Sequence, residues 1–144
     1  YRSGLITHEG QLTYVEHELE VLVDLGVWWG EITDGLPLPL GGNVVLRDLG
    51  SQAMEDITSH TKSSIEFAIG NPEAALEFAK QWGRGIDDDT NRKFVDMYVN
   101  HRTIDYQSEG RESVKRFLKE GQGIGLISAD FDIDSIEFIG ANKE

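Results

Sequence analysis

No cysteine occurs in the 144 residues, which excludes disulfide staples, thiolate metal centres and cysteine nucleophiles together. Basic residues are scarce as well. Thirteen Lys and Arg face 26 Asp and Glu, a formal net charge of −13, so the chain repels phosphate backbones and anionic membrane surfaces. Nucleic acid and membrane are therefore not expected partners. No uninterrupted apolar run approaches the ~20 residues that span a bilayer. No charged-then-apolar leader pattern is visible in the residues present, and the cytoplasm is the expected location.

What is there suffices for a core: 39% of the residues are apolar and 9% aromatic, and the length suits one domain. The apolar residues 4–6, ending in Thr7-His8-Glu9-Gly10, read as a buried strand that delivers an imidazole to its carboxyl end. A second closely spaced apolar run, residues 19–26, reads as another strand buried on both faces, and residues 27–34 as a short helix. "NVVLR", residues 43–47, resumes a strand. A parallel strand needs neighbours on both sides. Because the chain opens on such a strand and without methionine, a preceding segment or self-association is expected to supply them.

Only three prolines occur, and two of them, Pro37 and Pro39, punctuate "GLPLPLGGN", residues 35–43. Each removes an amide donor and biases the preceding leucine toward extended backbone, so this stretch is expected to be a stiff loop. Gly41 and Gly42 then allow a close approach. With Leu38, Gly41 and Asn43, the loop has the character of a pocket wall: flat apolar surface beside accessible backbone groups and one amide side chain.

From residue 51 onward helical signals dominate. Ala53, Ile57, Ile65, Ala68 and Ile69 keep helical spacing before Gly70. Asn71-Pro72-Glu73 has the form of an N-cap, a first-turn proline and a dipole-compatible acid. Further helices are expected over residues 90–100 and from about residue 108 to Gly121, with the tail from residue 124 extended. The acids at 87–89 read as a solvated helix start. Asp130, Asp132 and Asp134 alternate like a calcium loop but lack the glycine and terminal glutamate it needs, and Gly121, Gly123 and Gly125 have no following helix or lysine to make a phosphate cradle. His17, His60 and His101 form no zinc-ligating spacing, so no metal is expected.

Together, "GLITHEGQLTY", "VDLGVWWGEITDGLPLPLGGNVVLRDLG" and "YVNHRTIDYQSEGRESVKRFL" give a chain that resembles the carboxyl-terminal half of the 1,4-dihydroxy-6-naphthoate synthase family, of the futalosine route to menaquinone. The resemblance implies an α/β, two-lobed fold similar to type II periplasmic binding proteins. Residues 1–43 would finish the small lobe, residues 44–46 cross back, and the helices up to residue 144 pack on the large lobe. It implies conversion of cyclic dehypoxanthine futalosine to 1,4-dihydroxy-6-naphthoate, a lyase-type reaction with His8 as general base and no metal or organic cofactor. The base must be a neutral imidazole in a water-poor cleft. Glu9, Leu38, Gly41 and Asn43 are the expected substrate contacts by position. Two alternatives share the fold: chorismate dehydratase of the same pathway, and a non-catalytic solute-binding protein.

Overall fold

The computed structural model describes residues 3–8, 10–82 and 87–140. Among them every regular element is a helix: α1 (Gly10–Thr13), α2 (Leu25–Ile32), α3 (Ser51–Gly70), α4 (Pro72–Ala79), α5 (Asp88–Tyr98), α6 (His101–Ile104) and α7 (Gln107–Gly123). Short 3-10 turns cover Tyr14–His17, Arg47–Leu49, Lys80–Trp82 and Ile133–Ser135. None of the described helices is long and apolar enough to cross a membrane.

The helices start where local chemistry satisfies their free amides. Asp24 caps α2, its Oδ1 accepting from the N–H groups of Gly26 at 2.8 Å and Val27 at 3.1 Å. Asp87 caps α5 by accepting from the Thr90 N–H at 3.0 Å, and Asp88 and Asp89 fill the first turn, as expected of carboxylates at the positive end of a helix dipole. Pro72 occupies the opening of α4 and Glu73 its first turn. Asn71, however, does not cap α4. Its amide donates to the Phe67 carbonyl at 2.9 Å and so closes the end of α3. α7 continues two residues past Gly121, where a Cβ would meet Ile127 at 3.0 Å.

The expected α/β architecture is corrected by this arrangement: no strand forms among the described residues. Residues 4–7, 19–24 and 43–46 lie outside any ladder, and Leu25 and Gly26 open α2 instead. The physical reason is visible in exposure. Strands satisfy their amides on neighbours, yet Leu22 is 77% and Val44 97% exposed, so the apolar runs are not covered on either face. The residues from 124 onward, expected to be extended, form turns around Ile133–Ser135.

Among the described residues the buried apolar side chains are few: Trp29 of α2, Leu76 of α4 and Ile133. Trp29 lies edge-on to Phe117 of α7 with ring centroids 5.6 Å apart. This contact joins the two elements that flank the proline loop.

Candidate functional site

His8 precedes α1 and is exposed. Its ring folds back over the next turn, Nδ1 accepting the Gly10 N–H at 3.0 Å. An amide can only donate, so Nδ1 is the acceptor here and its lone pair points at the Gly10 N–H. Gly10 is required by the same geometry, since a Cβ there would lie 2.7 Å from His8 Cε1 and 3.0 Å from Nδ1. In addition, Gln11 of α1 donates from its amide to the Tyr98 hydroxyl, tying the histidine-bearing segment to α5.

The proline loop is held in a different way. Leu36, Pro37, Leu38 and Pro39 are half-buried, whereas Leu40 is exposed. Ser113 of α7, with no solvent exposure, donates its hydroxyl proton to the Pro37 carbonyl at 2.6 Å and accepts from Trp29 Nε1 at 2.9 Å. One hydroxyl thus uses its donor and an acceptor position to bind loop and α2 together. The Tyr106 hydroxyl donates to the Gly41 carbonyl at 3.2 Å. A Cβ at Gly42 would stand 3.1 Å from that hydroxyl, and one at Gly110 would stand 3.0 Å from Tyr106 Cβ. Two glycines therefore make room for one tyrosine, which also packs edge-on against Phe138 with centroids 5.9 Å apart.

Of the residues expected at the site, Leu38 is half-buried in the loop, and Gly41 and Asn43 are exposed beside it. Glu9 lies outside the described residues. Gly41 has no neighbour within 4 Å of a Cβ built on it, so of the two glycines only Gly42 is explained by a close approach. Sequence reasoning missed Tyr106 and Ser113. The available signal was their spacing: 106, 110 and 113 fall three and four apart, on one helix face, with a glycine in the middle.

The remaining titratable clusters have structural explanations. Asp132 caps the Ile133–Ser135 turn by accepting from the Asp134 N–H at 3.0 Å, and Asp134 pairs with Lys119 at 3.2 Å, so the alternating acids shape a turn. The Asp87 carboxyl is held below the usual carboxylate range by the hydrogen bond it accepts from Thr90. Lys80 sits between Asp88 at 2.9 Å and Glu77 at 3.1 Å, and these partners, Asp88 first, raise its pKa. An open groove on α4, lined by Ala74, Glu77, Phe78, Lys80 and Gln81, contains none of the expected site residues.

Residues 1–122 match a family model described as menaquinone biosynthesis. A curated 1,4-dihydroxy-6-naphthoate synthase from Thermus thermophilus is 37% identical over 86% of this chain and 45% of its own length. A second curated protein of that name, from Streptomyces coelicolor, is 31% identical over 88% of the chain and 45% of its own length. The chain thus spans about half the length of these relatives. The backbone is also similar to a crystal structure of a protein from Archaeoglobus fulgidus, with a TM-score of 0.78 and 38% identity over 83% of this chain and 45% of that one.

Proposed function

Because the chain belongs to the menaquinone biosynthesis family, we propose that it forms part of a 1,4-dihydroxy-6-naphthoate synthase that acts on cyclic dehypoxanthine futalosine. The observation that carries this reading is the 37% identity, over 86% of the chain, to a curated synthase. Neither curated relative is named as a dehydratase or a solute-binding protein, so the synthase is the reading favoured here.

The reaction is a lyase-type step in which His8 is the general base. Abstraction of a proton beside an electron-withdrawing group needs an uncharged imidazole with an accessible lone pair. In the present pose that lone pair is on Nδ1 and faces the Gly10 N–H. The base function therefore requires the ring to turn away from Gly10 when substrate enters, exchanging an amide donor for the substrate C–H. The absent Cβ at residue 10 leaves the space in which the ring rests beforehand. Leu38, Gly41 and Asn43 supply the apolar and polar wall on which the bound ring system lies, and Glu9 is the neighbouring acidic contact.

The test is turnover by the full-length protein carrying this chain. Wild type should convert cyclic dehypoxanthine futalosine to the naphthoate, and His8→Ala should lose about 10²–10⁴ in rate, the usual worth of a general base. Turnover that survives the substitution within a few fold would remove His8 from the base role. Binding without any product from wild type would remove the synthase reading itself.

A further inference from the structure

The proline loop carries an inference beyond the catalytic histidine. Its carbonyls at 37 and 41 are both taken by hydroxyls, Pro37 by Ser113 within α7 at 2.6 Å and Gly41 by Tyr106, the residue just before α7, at 3.2 Å. Gln107, which opens α7, and Ser113 are six residues apart, ~9 Å along the helix axis, and Tyr106 stands one residue further out. Positions 37 and 41 are four residues apart, about 12 Å of proline-stiffened extended chain. The two spans match, and the order is reversed, 37 with 113 and 41 with 106. The loop therefore lies along α7 in the opposite direction, fastened at both ends.

The fastening is specific in its chemistry. Pro37 and Pro39 have no amide hydrogen, which limits the bonds the loop can donate to a neighbouring segment, so α7 supplies the donors instead. Ser113 is fully buried and is itself fixed by Trp29 Nε1. Tyr106 is seated between Gly110 and Gly42, at positions where added Cβ atoms would be crowded.

We propose that Ser113 and Tyr106 are positioning residues that hold the Leu38–Asn43 wall in its substrate-binding shape, so that affinity for the substrate depends on two hydroxyls that do not touch it. This rests on the reading of that loop as the substrate wall. The loop is preorganised before binding, and its ordering entropy is not charged to substrate association.

The experiment uses the full-length protein with Ser113→Ala, Tyr106→Phe and the double variant, reading NMR backbone order parameters of the loop beside steady-state kinetics. Backbone order parameters at Leu38, Leu40, Gly41, Gly42 and Asn43 should fall from about 0.85 toward about 0.6 in Ser113→Ala, and somewhat less in Tyr106→Phe, as a held segment becomes a loose one. KM should rise about five- to tenfold while kcat stays within about twofold, as for lost binding that is equal in ground and transition states. Tyr106→Phe removes only an exposed hydroxyl contact and keeps the ring, so it serves where Ser113→Ala fails to fold. Unchanged loop order parameters in a folded variant would overturn the fastening. A loosened loop with unchanged KM would overturn the positioning role and with it the loop's place in the substrate site, while leaving His8 and the synthase reading standing. A lower melting temperature with neither change would reduce both residues to ordinary stabilisers and overturn the proposal.

Discussion

The two parts of the candidate site are built on opposite principles. The His8 ring accepts from the Gly10 N–H two residues away, among its contacts, and stands exposed. The proline loop is held by side chains 65 and 76 residues away in sequence, one of them fully buried. A local contact between exposed groups is easily exchanged, which suits the base proposed here, since it would trade a resting partner for a reacting one. A contact that closes a long loop of chain is retained only where it is buried or multiply supported, which suits a wall that should not move. The difference separates what should move in this site from what should not.

That comparison can be broken at its rigid side first. Trp29→Ala removes an indole that is only 2% exposed, leaves Ser113 without its donor and deletes the ring against Phe117. A loss of about 3–5 kcal/mol is expected, as for other buried aromatic truncations, read by denaturant titration. A loss under about 1 kcal/mol would mean that the α2–loop–α7 joint is not the stable part of the molecule.

The mobile side is sharpened by Gly10→Ala. The new Cβ would sit 2.7 Å from His8 Cε1, so the ring must leave its resting pose, while denaturation should change little because the ring is exposed. The working pose is itself turned off Gly10, so kcat should stay within a few fold of wild type with folding intact. A loss near the ~10²-fold that a misplaced catalytic group can cost would mean that the pose over Gly10 is the working one.

The smallest effect lies away from both parts and serves as their control. Asp87 has its carboxyl pKa lowered by the Thr90 hydrogen bond, so its contribution to stability is present above the unfolded-state pKa and is lost as pH falls through the lower folded-state value. Asp87→Ala should lower the melting temperature slightly at neutral pH. The gap from wild type should close as pH drops below the ordinary carboxylate range, with KM and kcat unaltered. A gap that widens on acidification would contradict the assignment.

The helices were legible because their signals are local. Apolar spacing located α3, Pro72 and Glu73 marked the start of α4, and the acids at 87–89 marked that of α5. The strands were misread because apolar runs such as residues 19–24 carry no record of whether a neighbour lies alongside, and here they are exposed. Asn71 was misjudged because its side chain could serve either helix it separates, and it bonds backward to Phe67. The loop's stiffness was readable from Pro37 and Pro39. Its fastening was not, since a hydroxyl bonded to a distant backbone carbonyl leaves no pattern around Ser113 or Tyr106 beyond their helical spacing.

The central claim is that the exchangeable histidine and the fastened loop face one ligand. It is tested most directly by a crystal structure of the full-length protein with an unreactive analogue of cyclic dehypoxanthine futalosine. The account predicts His8 turned off Gly10 with a ring nitrogen within about 3.2 Å of the reacting position, and the analogue lying against Leu38, Gly41 and Asn43. An analogue bound elsewhere, with His8 still folded over Gly10 and facing solvent, would contradict it.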